Sequence, residues 1–373
     1  MADNQRYLAL DVFRGMTVCF MIIVNSPGGN IAYPPLLHAS WHGFTPTDLV
    51  FPSFLFAVGN AMAFVMSKYE ALGANVFWRK TIKRTLIIFL LGYLMYWFPF
   101  FQTGEGGTLE LKPLAETRIF GVLQRIALCY FFASVILFYG SKNFAVWFSV
   151  FALLSYWILM YALGDPSDPY AMVGNYGSKL DLILFNEKHL YHGEGIAFEP
   201  EGLLSTLPSI VNVIMGYLVG DYIRRNKSSF ESIAKLMLVG AALIFAALTW
   251  DIFFPINKKL WTSSFVLLTV GLGTVILAAL MYVIDIKKKD KWTYFFVVFG
   301  RNPLFIYLLS ELALISLLII PSSENNARDW LNDKFFGSFA SPIHASFLFA
   351  AFFMLACWTV GYILDRKKIY VRV

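Results

Sequence analysis

Ten mostly apolar stretches, each about the length of a membrane-spanning helix, dominate this chain. They run near 8–26, 48–67, 81–99, 119–139, 144–163, 205–223, 233–252, 261–284, 294–320 and 343–364. About 20 apolar residues in a helix cross the hydrocarbon core. Lipid offers the backbone no hydrogen bonds, so the peptide groups of such a stretch must pair within a helix. The stretches predict an all-α, polytopic integral membrane helical bundle of about ten transmembrane helices. The ninth is interrupted by Gly300-Arg301-Asn302-Pro303, which predicts a broken helix and widens the count to nine to eleven. Composition agrees: 58% of residues are hydrophobic and 14% charged, against roughly 25% charged in soluble domains. No internal repeat or low-complexity linker stands out, so residues 1–373 read as a single transmembrane domain.

The 30 basic residues outnumber the 24 acidic ones, a balance that in a soluble protein raises the question of a nucleic-acid partner. Here Lys and Arg lie in short clusters between apolar stretches, the pattern of membrane orientation. No nucleic acid is expected; the partner implied is the lipid bilayer. One connecting loop holds Lys68, Arg79, Lys80, Lys83 and Arg84, and another Arg224, Arg225, Lys227 and Lys235. A third holds Lys287, Lys288, Lys289 and Lys291, and the tail holds Arg366, Lys367, Lys368 and Arg372. With Arg6 and Lys142, all fall on one side of an even-span arrangement. Loop 27–47 has no Lys or Arg, and loop 164–204 sets Lys179 and Lys188 against seven carboxylates. The positive-inside rule then puts both termini in the cytoplasm and loops 27–47 and 164–204 outside. The first stretch carries Asp11 and Arg14 and has no small-residue cleavage site after it, so it reads as a retained helix. Cys19, Cys129 and Cys357 lie inside apolar stretches as small hydrophobes. His38, His42, His189 and His192 show no zinc-ligand spacing, so no metal is expected.

Charged and polar groups inside spans mark function by default. Asp11 and Arg14 share a helix face and read as an ion pair or as an arginine facing an anion. Asn25 precedes Ser26-Pro27-Gly28-Gly29. It is either part of a helix-ending turn or an amide that orients a reacting carbonyl or imidazole. His38 and His42 flank Ser40-Trp41, and Asp48 follows at the start of the second span. Thr45-Pro46-Thr47-Asp48 is helix-capping chemistry. A histidine ten residues before such an aspartate also fits a pair in which the carboxylate fixes the tautomer and raises basicity. Arg118, Gln124-Arg125, Arg301-Asn302, Glu311 and the segment 257–263 bring polar groups to further spans, so the interior is partly wet. A transport pathway and a catalytic pore both fit, and the residues alone leave both open.

The runs Asp11-Val12-Phe13-Arg14-Gly15, Val24-Asn25 and His38 through Phe54 (HASWHGFTPTDLVFPSF) resemble the lysosomal heparan-α-glucosaminide N-acetyltransferase family. Arg118 through Arg125 (RIFGVLQR), Glu199 through Leu204 (EPEGLL), Pro255 through Trp261 (PINKKLW) and the ending Arg366-Lys367-Lys368-Ile369 extend the resemblance. It covers nearly the whole chain in colinear order. It implies a transmembrane acetyltransferase domain that takes the acetyl group of cytosolic acetyl-CoA, its co-substrate. The group passes to the amine of a terminal glucosamine across the membrane. The family's catalytic histidine falls on His38, its paired asparagine on Asn25 and the downstream aspartate on Asp48. Arg14 and Arg125 match arginines of the family's motifs. With Gln124 and Arg301 they are the expected acetyl-CoA contacts. His42 stands where the lysosomal enzyme carries Asn, so the catalytic role goes to His38. Glu201 of the outer loop, Trp41, Asn257, Lys258 and Trp261 are expected to hold the acceptor. The chain as given does not include the large lumenal N-terminal domain of the lysosomal enzyme. It is expected to be a compact bacterial relative in an inner membrane. The lysosomal relatives point to a homodimer, which no motif here specifies. Two alternatives remain: an amino-sugar transporter, or an O-acyltransferase of an envelope glycan.

Overall fold

The computed structural model describes residues 7–103, 108–322 and 326–371; Arg6 and Arg372 lie outside the described residues. The protein is all-α. In chain order its helices are α1 (Leu8–Asn25), α2 (Val50–Met62), α3 (Met66–Leu72), α4 (Ala74–Trp97), α5 (Val122–Tyr139), α6 (Lys142–Leu163) and α7 (Tyr176–Phe185). Then follow α8 (Thr206–Asn226), α9 (Phe230–Asp251), α10 (Ser263–Met281), α11 (Thr293–Arg301), α12 (Pro303–Ile319), α13 (Ala327–Leu331) and α14 (Pro342–Arg366). One short antiparallel ribbon, β1 (Phe101–Thr103) with β2 (Leu109–Leu111), pairs Phe101 with Leu111.

Among the described residues, seven helices are each long and apolar enough to cross a membrane. Two bent pairs, residues 46–72 and 293–319, raise the number to nine if each counts as one span, at the lower edge of the nine to eleven expected. The expected span 81–99 lies on α4, a helix of 24 residues. Arg79, Lys80, Lys83 and Arg84 crowd its first half and set it apart from the other spans. The predicted break in the ninth stretch is present: α11 and α12 meet at a bend of 83°. Pro303 takes the first position of α12, where its missing N–H costs nothing and its ring prevents continuation of the preceding helix.

The described residues form two compact units, to which α2 and α10 both contribute. The first holds 7–38, 45–54 and 276–371. Here α1 packs against α11, α12 and α14. A Cβ on Gly15 would lie 1.9 Å from the Phe296 carbonyl oxygen, and one on Gly300 would lie 2.5 Å from that of Asp11. Backbone touches backbone, and only glycine fits. Gly15→Val is expected to destabilise the protein by about 1–3 kcal/mol or more, since the overpacked atom meets backbone rather than a flexible side chain. A melting curve of the purified variant checks this.

The second unit holds 39–44 and 55–275. Buried α8 packs against α5 and α6. It meets α2 just as closely: a Cβ on Gly59 would lie 2.0 Å from the Val213 carbonyl oxygen. The connection 164–204, 41 residues long, is ordered. Asn175 caps α7 by accepting the Ser178 N–H at 2.9 Å, and Phe198 joins Tyr156, Met160, Tyr170, Phe254 and Leu260 in an apolar cluster beneath it.

Candidate active site

In the first unit, His38 and Asp48 form the pair that their spacing allows. Thr45-Pro46-Thr47-Asp48 opens a 3-10 turn, Pro46–Leu49, that leads into α2. Asp48 is fully buried and uses its two oxygens for two tasks. Oδ2 accepts the Thr45 backbone N–H at 2.9 Å and lies 3.1 Å from the Thr45 hydroxyl oxygen. Oδ1 lies 2.7 Å from His38 Nδ1. Asp48 thus both caps the turn and contacts the His38 ring. An ionised carboxylate only accepts, so His38 carries its proton on Nδ1 and its basic lone pair on Nε2. Thr45 Oγ1 donates to the Leu37 carbonyl at 2.7 Å and Thr47 Oγ1 to that of Pro35 at 3.1 Å, which ties the turn to the histidine loop. The His38 side chain remains 44% exposed.

The other expected residues of this unit have partners of their own. Asn25, the last residue of α1, donates from Nδ2 to Glu311 Oε1 on α12 at 3.1 Å. Arg14 pairs with Asp11 at 2.9 Å, the ion pair that their three-residue spacing allows. Arg301 pairs with Asp365, which also accepts the Tyr294 hydroxyl at 2.9 Å. Beside it, Asn302 donates to the Ile369 carbonyl and accepts the Val371 N–H. The broken helix thus anchors the tail.

The second unit gathers the remaining candidates around buried charge. Arg118 Nε donates to Glu199 Oε2 at 2.9 Å, and Nη2 serves both Glu199 Oε1 and Glu201 Oε2. Its guanidinium lies over the rings of Tyr96 and Tyr191, 4.9 and 4.7 Å from their centroids. Burial pushes the Glu199 carboxyl up to about 7. Burial also raises Glu201, but Arg118, Arg125 and Lys258 outweigh it and leave that carboxyl below its ordinary value. One turn into α5, fully buried Arg125 donates from Nη2 to the Gly202 carbonyl at 3.1 Å and to Ser205 Oγ. Its guanidinium stands 5.0 Å over the Trp261 ring. Trp261 Nε1 donates to Asn212 Oδ1 at 3.0 Å, and Asn212 Nδ2 donates to Thr269 Oγ1 at 3.2 Å. Gln124 is buried beside Gly92, and neither its Oε1 nor its Nε2 has a hydrogen-bond partner among the described residues. Such a group in a membrane interior calls for water or a ligand.

Asp181 completes this shell from α7. It accepts the Leu203 N–H at 3.0 Å, and burial pushes its carboxyl from the ordinary 3.8 up to about 6. Between those values the folded protein holds a proton that the unfolded chain has released. Stability therefore falls as pH rises through this window and stays lower above it. Asp181→Asn keeps an oxygen for Leu203 and carries no charge. It is expected to match the wild type at about pH 4 and to exceed it by about 2–3 kcal/mol above about pH 6.5. A melting-temperature difference that opens with pH is the signature.

Spacing does not reveal Glu199, Asp181, Asn212 or Glu311 as partners, although Arg118 and Glu199 stand inside the motif runs that carry the resemblance. Of the expected acceptor contacts, Asn257 and Trp261 are buried and support the residues in front of them. Trp41 donates from Nε1 to the Tyr170 carbonyl at 3.0 Å. Lys259, next to Lys258, bridges the Ser40 carbonyl at 2.9 Å and Glu194 at 2.7 Å.

Fold and site define an integral membrane protein whose helices enclose buried ionic groups and whose first unit holds a carboxylate-bound imidazole. Residues 6–246 match the family described as heparan-alpha-glucosaminide N-acetyltransferase, catalytic, and the chain belongs to that family. It is 28% identical to the human heparan-alpha-glucosaminide N-acetyltransferase over 429 aligned residues, which cover 99% of this chain and 60% of that protein. The mouse protein of the same name is 29% identical over 374 residues, covering 83% and 54%. The chain therefore spans little more than half the length of these relatives.

Proposed function

We propose that residues 1–373 act as one transmembrane N-acetyltransferase domain. It moves an acetyl group from cytosolic acetyl-CoA to the amine of an extracytoplasmic amino sugar such as a terminal glucosamine. The observation that carries this reading is the 2.7 Å contact of His38 Nδ1 with Asp48, which leaves Nε2 as the basic nitrogen. The acceptor amine attacks the thioester carbonyl carbon, the C–S bond breaks and an amide C–N bond forms. His38 Nε2 takes the ammonium proton as general base and returns a proton to the departing thiolate. In a two-step route Nε2 itself carries the acetyl group before the amine does. The Asn25 amide steadies the carbonyl oxygen as negative charge develops on it.

Arg14, Gln124, Arg125 and Arg301 are the proposed acetyl-CoA contacts. Arginine suits phosphate because its planar fork donates two hydrogen bonds at once. Arg14 and Arg301 would exchange their carboxylate partners for that anion. Trp41, Glu201 and Lys258 form the proposed acceptor site, with Asn257 and Trp261 behind them. Glu201, held ionised by its basic neighbours, suits an ammonium group. The family match supports the acetyltransfer chemistry. The membrane we propose is a bacterial inner membrane, and the clusters of Lys and Arg support an orientation with both termini in the cytoplasm.

Purified protein given acetyl-labelled acetyl-CoA and glucosamine tests the proposal. Labelled N-acetylglucosamine is the expected product, and N-acetylglucosamine offered as acceptor should take no label. Label on its hydroxyls would favour O-acyl transfer to a glycan. Glucosamine flux into proteoliposomes without CoA, and no transfer, would favour a transporter.

A further inference from the structure

Four residues after His38, a second imidazole has the opposite wiring. Residues 39–44 belong to the second unit and are pinned there. The Gly43 N–H donates to the Ile256 carbonyl at 2.8 Å, Lys259 Nζ to that of Ser40 at 2.9 Å, and Trp41 Nε1 to that of Tyr170 at 3.0 Å. In this segment His42 Nδ1 lies 3.4 Å from Asn257 Nδ2. Asn257 is fully buried, and its amide cannot turn over, because Oδ1 accepts the Leu260 N–H at 2.8 Å. An amide nitrogen only donates. His42 Nδ1 must therefore accept, and its proton sits on Nε2. Desolvation lowers the His42 pKa against the pull of Asp168 and Asp251, in line with a neutral ring. Among the described residues Nε2 has no hydrogen-bond partner, and His42 is exposed.

We infer that His42 is a specificity residue: a neutral imidazole, fixed by Asn257 as an Nε2–H donor, that binds a hydroxyl or ring oxygen of the acceptor sugar. A neutral N–H donor offers nothing to an ammonium group, which itself only donates, and it fits a sugar oxygen. The Trp41 ring stands edge-on at 6.0 Å, an aromatic neighbour suited to the apolar side of a pyranose. Asn257 acts through His42 and is a positioning residue. The identity of that sugar as the acetyl acceptor rests on the proposed function; the tautomer does not.

The chain has five histidines, so nitrogen-15 NMR of ring-labelled protein in detergent can resolve them, with His42→Gln assigning the His42 signals. The expected spectrum shows His42 neutral, with Nε2 protonated and Nδ1 bare, and its signals shift saturably as glucosamine is added. In the transfer assay, Asn257→Asp keeps an oxygen for Leu260 but turns a carboxylate toward His42, moving the proton to Nδ1. It should raise the glucosamine KM about tenfold, the value of one lost hydrogen bond, with kcat and the acetyl-CoA KM within about threefold. His42→Gln retains a donor and should stay nearer to wild type than His42→Leu. A wild-type His42 protonated on Nδ1, or His42 signals unmoved by glucosamine, would overturn the inference. A His42 shift without any acetyl transfer would instead count against the proposed function and leave the binding role standing.

Discussion

Asp48→Asn is expected to lower acetyl transfer by about 10³- to 10⁴-fold while the protein stays folded. The swap preserves shape. One side-chain oxygen still accepts the Thr45 N–H, now met by the Asp48 carboxylate at 2.9 Å, so the turn that leads into α2 stays capped. The amide nitrogen then faces His38 Nδ1 and donates to it. That forces the His38 proton onto Nε2, the wiring that Asn257 gives His42, and removes the basic lone pair from the reacting side. Carboxylate-to-amide swaps behind a catalytic imidazole cost about 10⁴ in rate for this reason. Asp48→Ala loses the same orientation and also the cap, worth about 0.5–2 kcal/mol of stability. Rates and melting curves of the two variants separate the roles. A rate for Asp48→Asn within tenfold of wild type would mean that Asp48 only caps the turn.

The second large effect is on stability. Arg118→Met should destabilise the protein by about 3–5 kcal/mol, because it leaves Glu199 in a buried site without its cation and strips Glu201 of one of its basic neighbours. The Glu199 side chain has no exposed surface, and hydration cannot replace the lost partner. The penalty depends on pH. Glu199 already holds its proton up to about pH 7 through burial, and removal of Arg118 pushes that value higher. The folded variant thus binds a proton that the unfolded chain gives up at an ordinary glutamate value of 4.5. Its deficit relative to wild type should be smaller at about pH 5 than at about pH 8. Adding Glu199→Gln to Arg118→Met should recover part of the loss at the higher pH. Equal melting temperatures for Arg118→Met and wild type would show that the cluster contributes nothing net.

Local features of the chain are legible in its sequence. The apolar stretches give the spans, Pro303 gives the break in the ninth, and ten residues of spacing foreshadow His38 with Asp48. In each case the cause and its effect lie within a few helical turns. The basic first half of α4 hides a long helix from any purely apolar criterion, and α7 and the β1–β2 ribbon are too short to leave a periodic signal. Partners far apart in sequence are not legible. Asn25 meets Glu311 across 286 positions, Arg118 meets Glu199 across 81, and Trp261 meets Asn212 across 49. No spacing rule reaches that far, because tertiary packing alone chooses among the many polar groups on the helices. The same limit explains Asn257 and Trp261. Their place beside a span predicts contact with a ligand, whereas packing buries both and puts His42 in front of Asn257.

The most direct test is acetyl transfer from labelled acetyl-CoA to glucosamine by wild type and His38→Ala, purified side by side. The mechanism predicts labelled N-acetylglucosamine from the wild type and only background from a His38→Ala protein that melts and elutes like it. Transfer at the wild-type rate by His38→Ala would contradict it.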